Sequence, residues 1–237
     1  MPISKTDFIR ALQCEKMLWL DAHAPEHKII PSEVQAKLDA GNEFGDAAMG
    51  IFGEFVETTA FREDGRLNFA MMIAKTKELL ESGTPVICEA SFTWYGNFCA
   101  ADILRREENG YVLYEVKNSF SARKEFICDL GFQRFLLRKC GVNVLACKLV
   151  LRGDAPPDDY AGKDEPFETE EFVKSGDFTY HIVDVTKGAI RADRHVSQHI
   201  FEFGKLKRKD TPMPDIPPSP HCDSPYRCWY YDFCHSE

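Results

Sequence analysis

The chain has 237 residues, enough for one large domain or two small ones and for a sizeable buried core. With 44% hydrophobic and 28% charged residues it reads as a soluble globular protein; it has no apolar run of membrane-spanning length, and its start, Met1-Pro2-Ile3-Ser4-Lys5, has no secretory h-region. The net charge of −9 argues against a general nucleic-acid coat, while leaving room for a local basic groove.

Taken in chain order, residues 4–22 have helical spacing, with Phe8, Leu12, Leu18 and Leu20 apolar and Ser4 or Thr6 as cap. Cys14 then lies at or near the end of a short helix. Residues 32–51 predict a second helix with Ser32 as cap, Glu33 in the first turn and Gly41 as an interruption. Residues 67–82 predict a third, ended by Gly83-Thr84-Pro85. Two apolar runs, 86–94 and 98–106, flank Tyr95-Gly96-Asn97 and predict a hairpin; a second turn at Asn109-Gly110 leads to a strand over 111–117. A helix over 124–139 ends at Gly141, followed by a strand over 144–151. The segment 153–177, with Asp154, Pro156, Pro157, Asp158, Asp159, Gly162 and Pro166, reads as an acidic loop. A strand over 179–185, a helix over 186–203, a proline-rich connector over 210–220 and an aperiodic Cys-rich tail complete the chain. The order predicts an α/β or α+β fold with a mixed central sheet flanked by helices. One domain is expected: 1–30 as an N-terminal helix, 31–209 as the core, 210–237 as connector and tail.

Glu115 and Lys117 are two apart on one predicted strand, so both side chains share a face. Asp102 lies one hairpin away; pairing through Asn109-Gly110 sets it near Lys117 and within about a residue of Glu115. Two carboxylates could hold Mg²⁺ or Mn²⁺, with Lys117 positioning water or stabilising charge on phosphorus. The alternative is an edge-strand salt bridge of little energetic weight. Glu89 stands in an otherwise apolar run; it either joins this site or pairs with Arg105 or Arg106. Gln133, on the following helix, either binds a water or phosphate or is simply surface. Residues 186–209 carry seven basic residues against Asp193 and Glu202, either a nucleic-acid groove or a solvated helix face.

Without a signal peptide, the nine cysteines are expected in a reducing cytosol, free or metal-bound. Cys88, Cys99, Cys128, Cys140 and Cys147 lie in apolar stretches and read as small buried hydrophobes. Cys14 stands alone near the start, while Cys222, Cys228 and Cys234 close the chain with five residues between neighbours.

The D…ExK pattern of Asp102, Glu115 and Lys117, followed by a helix bearing Gln133, resembles the RecB-like branch of the PD-(D/E)XK nucleases. Cys14 and the C-terminal triplet resemble the iron–sulphur members of that branch, which include the CRISPR-associated RecB-like exonucleases. Ile3-Ser4-Lys5-Thr6-Asp7-Phe8, Leu12-Gln13-Cys14 and Cys222-Asp223-Ser224-Pro225-Tyr226-Arg227-Cys228 carry the likeness to that group, which spans 3–151 and 221–234. The resemblance implies Asp102, Glu115 and the Val116 carbonyl as metal ligands, Lys117 as catalytic lysine and Gln133 as the family glutamine. It also implies a 4Fe–4S cluster on Cys14, Cys222, Cys228 and Cys234, single-stranded DNA ends as substrate, and CRISPR integration or repair proteins as partners. In the family's Gly-x-x-x-His motif the histidine is a metal ligand; here the segment Gly41-Asn42-Glu43-Phe44-Gly45 has glycine there, with Glu43 or Asp46 as substitutes on the same helix. The spacing of the cysteines fits the paired knuckles of a zinc site poorly, and aromatic residues around Cys228 and Cys234 would shield a cluster from water. Loss of the histidine opens a competing reading, a catalytically degenerate nucleic-acid-binding or adaptor module.

Overall fold

The computed structural model describes residues 1–30, 32–153 and 169–236. The first helical stretch is two helices, α1 (Lys5–Gln13) and α2 (Glu15–His23). Ser4 and Asp7 cap α1 reciprocally, each side chain accepting from the other's N–H, at 3.1 and 3.0 Å. The break falls at Cys14, whose extended backbone (φ −161°, ψ 117°) ends one helix and starts the next. α3 (Ser32–Ala48) runs unbroken through Gly41, which has open space around it, and ends three residues before the expected 51, in a 3₁₀ turn, Met49–Phe52. Ser32 is the first residue of α3, and its side chain, like that of Glu33, lies outside the described residues.

A short strand, β1 (Val56–Glu57), precedes α4 (Phe69–Ser82), which Asn68 caps and Gly83 ends at φ 74°. The expected hairpin forms as β2 (Val86–Trp94) and β3 (Asn97–Glu107). Trp94 pairs with Asn97 across Tyr95-Gly96, both at positive φ (49° and 80°), the twist that a right-handed strand pair accepts most readily. β4 (Gly110–Lys117) follows antiparallel with Glu107 opposite Gly110, so the turn is Glu108-Asn109 and the register lies two residues from the expected one. Ile103 faces Tyr114, which sets Asp102 beside Glu115 instead of Lys117.

α5 (Lys124–Lys139) connects β4 to β5 (Val144–Arg152), which lies parallel to it. β6 (Thr169–Ser175) and β7 (Phe178–Asp184) are antiparallel, so the last third of the segment expected as a loop is an edge strand; Asp154, Pro156, Pro157, Asp158, Asp159, Gly162 and Pro166 lie outside the described residues. α6 (Thr186–Lys205) and a short α7 (Tyr231–His235) in the tail follow. The result is an α/β fold on a mixed seven-stranded sheet ordered β1-β2-β3-β4-β5-β7-β6.

Alternation along β4 divides the core. Val112, Tyr114 and Val116 join Phe44 and Ala48 of α3 on one face, while Leu113 joins Phe8 of α1, Leu130 and Leu136 of α5 and Val196 and Ile200 of α6 on the other. Glu115 and Lys117 share the parity of Leu113 and therefore point toward α1 and α5. The α5–α6 contact is close at Gly131, where an added Cβ would lie 2.9 Å from the Ala192 carbonyl carbon. Gly131→Ala is therefore expected to cost about 2 kcal/mol through overpacking. Chemical denaturation checks this; a variant as stable as the parent would show that the two helices separate freely.

Candidate active site and thiol pocket

Glu115 is 1% exposed and lies on an interior strand, so the edge-strand reading does not hold. Its carboxylate accepts from three side chains: Lys5 Nζ at 2.9 and 3.2 Å, Lys117 Nζ at 2.7 Å, and Gln133 Nε2. Asp102 Oδ2 accepts from the Val116 N–H at 2.7 Å, and Asp102 Oδ1 lies 3.9 Å from the Lys5 ammonium. Lys117 is held from its far side by Asp129 at 2.8 Å. Asp102, Glu115 and Lys117 thus converge as the sequence predicts, and Gln133 joins them.

Gln133 is fully buried, not a surface residue; its Oε1 has no hydrogen-bond partner among the described residues. Glu89 pairs with neither candidate arginine: Arg105 binds Glu107 at 2.6 Å and Arg106 donates to the Gly83 carbonyl at 2.9 Å. Glu89 instead occupies a left-handed backbone position (φ 55°), uncommon without glycine and frequent where a site imposes strain. Its carbonyl is fixed by Thr58 Oγ1 at 2.5 Å and Ser91 Oγ at 3.0 Å. Glu43 is exposed on α3 and, among the described residues, makes no hydrogen bond or ion pair with the acids; Asp46 is likewise exposed.

The charges are unevenly matched. Burial favours protonation of Glu115, but Lys117 and Lys5 outweigh it and hold the carboxyl at about 2. Burial, then the Glu115 charge, push Asp102 up to about 6. Burial, then Asp102, push Glu89 up to about 8. Burial opposes the Lys5 charge, yet Glu115 and Asp102 raise its pKa above the ordinary lysine value.

Two participants are absent from the sequence reading. Asp129 was legible, since it stands four residues before Gln133 and shares its helix face. Lys5 was not: it reaches Glu115 across 110 residues of chain, and no local pattern marks the return.

The four cysteines of the split set line one pocket with Met17, Leu20, Pro217, Pro218 and Tyr230. Cys14 receives backbone N–H groups of Met17 and Lys16, and the Tyr230 N–H points at Cys228 Sγ at 3.4 Å; such donors favour thiolate. Burial raises the Cys14 thiol and pushes Cys228 up to about 11, so ionising the set here demands compensating positive charge. Among the described residues no three His, Cys, Asp or Glu side chains close on a single ion. Four thiols gathered from both ends of the chain into one pocket are a donor set that a zinc ion or an iron–sulphur cluster could use.

Hydrogen bonds and ring contacts also seat the tail. Gln13 Nε2 donates to the His221 and Tyr226 carbonyls (2.9 and 2.7 Å), and Trp19 Nε1 donates to the Thr211 carbonyl at 2.8 Å. Tyr230 OH donates to Asp21 at 2.8 Å, while Arg10 and Lys28 each lie 4.4 Å from the Trp229 ring centre. Outside the pocket, Cys88, Cys99 and Cys147 are buried and Cys128 is half-buried, but Cys140 is exposed at the α5 C-terminus, correcting its reading as core.

On α6, Lys187, Arg191, Arg194 and Lys205 are exposed opposite a buried stripe of Ala189, Val196, Ile200 and Phe203. Asp193 is buried against Arg134 and Arg138, so it does not neutralise that outer face. Among the described residues no helix is long and apolar enough to cross a membrane. Comparison with protein families, with characterised proteins and with solved structures finds no match.

Proposed function

We propose that this chain is a metal-dependent DNA exonuclease of the RecB-like PD-(D/E)XK class, acting on single-stranded ends and carrying a structural 4Fe–4S cluster. The observation that carries this reading is the unmet negative charge where β2, β3, β4 and α5 meet. Glu89, Asp102, Glu115 and Asp129 stand against two ammonium groups, and two of the four acids rise far above their ordinary range. Surplus buried carboxylate is what a hard cation with oxygen ligands requires. Asp102, Glu115 and the Val116 carbonyl would hold Mg²⁺ or Mn²⁺, with Glu89 alongside. Such an ion, when bound, supplies a polarised phosphodiester and a more acidic water.

The protein's own groups do the rest. Asp129 and Glu115 fix the Lys117 ammonium from two sides, so it is oriented before charge develops on phosphorus. Gln133 steadies Glu115 through Nε2 and keeps Oε1 open to accept from a water. The exposed basic face of α6 offers the phosphate backbone a track despite the acidic whole. Cys14, Cys222, Cys228 and Cys234 would hold the cluster, whose iron supplies the positive charge that four thiolates in a partly buried pocket need. In a cell the activity would serve trimming of DNA before CRISPR integration, or repair and defence, in the cytoplasm.

One observation favours the competing reading of a non-cleaving nucleic-acid-binding module: glycine stands at position 45, and among the described residues Glu43 makes no bond to the acids. The deciding experiment incubates anaerobically purified protein with end-labelled single-stranded DNA and Mn²⁺, beside Asp102→Ala. Shortening of the strand by the parent alone is expected. Intact DNA with the parent, or equal shortening by both, removes the catalytic reading.

A further inference from the structure

The chain start is fastened before Lys5 leaves it. The Met1 amino group donates to the Gly204 carbonyl at 2.8 Å, the Ile3 N–H to Asn97 Oδ1 at 2.9 Å, and the Phe98 N–H to the Ile3 carbonyl at 3.2 Å. Ile3 is 2% exposed, and the Ser4–Asp7 cap starts α1 at once. Lys5 is therefore delivered to one place, at the first turn of α1. Its ammonium lies 2.9 and 3.2 Å from the Glu115 oxygens and 3.9 Å from Asp102 Oδ1. Among the described residues it has no other hydrogen-bond or ion-pair partner.

Those two carboxylates are the pair that the proposed function assigns to the divalent ion. Both Glu115 oxygens are already engaged, by Lys5, Lys117 and Gln133. An arriving cation needs their lone pairs and is repelled by an ammonium at the same atoms. One occupant must leave. Gln133 is fully buried and Lys117 has a second anchor behind it in Asp129, whereas Lys5, on a flexible four-carbon stem, is held among the described residues by Asp102 and Glu115 alone.

We propose that Lys5 is a resident cation, seated on Asp102 and Glu115 where the divalent ion binds, and that it must swing away for that ion to enter. This rests on the metal-site reading above. Lys5 keeps the acids neutralised and the fold intact in the ion-free protein, and it sets the site's affinity for the ion by competing for the same oxygens. A bulkier or more firmly held cation at position 5 would compete harder.

The test is calorimetric titration of Mn²⁺ into the full-length protein, cluster intact, with no DNA present. Lys5→Met keeps the stem and removes the charge; Lys5→Arg keeps a charge that grips a carboxylate with two N–H groups. Expected are Mn²⁺ binding by the parent, none by Asp102→Ala, binding tighter by on the order of tenfold in Lys5→Met, and weaker binding in Lys5→Arg. Parent binding that Asp102→Ala loses, with Lys5→Met equal to or weaker than the parent, overturns the role of Lys5 alone. Absence of Mn²⁺ binding in the parent and in Lys5→Met alike overturns the metal site itself and the inference with it. Thermal melting of each variant accompanies the titration, and Lys5→Arg carries the comparison if Lys5→Met melts below the working temperature: binding as tight as the parent's then overturns the proposal.

Discussion

Replacing Asp102 by asparagine is expected to abolish cleavage and, in ion-free protein, to raise stability. The carboxylate is forced into a half-buried site beside Glu115, and its pKa rises from 3.8 to about 6. A raised acid is one whose charge opposes folding. Asparagine keeps an oxygen for the Val116 N–H and removes that charge. Above about pH 6 the variant should melt a few degrees higher than the parent, since 1 kcal/mol shifts a domain of this size by about 2–4 °C. As pH falls from about 6 toward 3.8 the parent protonates Asp102 in the folded state and recovers, so the gain shrinks and vanishes below that range.

Glu115→Gln should behave oppositely while losing cleavage just as completely. Its pKa is held down at about 2, so its charge favours folding at every pH above the ordinary glutamate range. Removing it leaves Lys5 facing Asp102 alone and Lys117 facing Asp129 alone, and breaking a buried pair on one side costs about 3 kcal/mol, or roughly 10 °C. Each variant should lower the rate on the order of a thousandfold, as loss of a preorganised charge-stabilising group does. Melting curves between pH 4 and 8 without divalent ions check the stability part. Stability effects of opposite sign would separate chemistry from folding; parallel destabilisation would mean that Asp102 is a structural acid like any other.

The second large effect is expected at Cys14. It joins α1 to α2 and is the one pocket thiol contributed by the first half of the chain. Cys14→Ala should yield colourless, poorly soluble protein with little iron or sulphide, whereas Cys140→Ala, on an exposed thiol outside the pocket, should stay brown. Binding free energy at such a site is folding free energy, because no preformed site exists in the unfolded chain. Only bonds such as those from Gln13, Trp19 and Tyr230 would then hold the tail, so the loss should register first as tail opening: faster proteolysis beyond residue 209 before the core melts. A brown, stable Cys14→Ala protein would place the cluster elsewhere.

Local patterns marked most of the elements. The Tyr95-Gly96 turn, the apolar stripe of α5 and the glycine at its end are short-range signals, and the strands and helices they bound lie within a residue or two of expectation. The acids at 102 and 115 and the lysine at 117 were legible because period-two alternation puts 115 and 117 on one face. β6 was hidden because an edge strand buries little, so its charged sequence resembles the acidic stretch before it. The break at Cys14 was hidden because apolar spacing continues through it; an extended residue between helices leaves no mark in composition.

The chain by itself determined which residue types could meet: two acids and a lysine on adjacent strands, and four sulphurs divided between its ends. Folding in three dimensions decided who sits opposite whom. A one-residue change in turn position shifted the pairing by two and brought Asp102 to Glu115, because turn geometry sets register along with the apolar pattern. It also delivered Lys5 across the fold to both acids, since α1 packs its Phe8 against α5 and thereby carries its first turn over the sheet. Long-range contacts of that kind are set by the burial of whole faces, which no window of sequence contains.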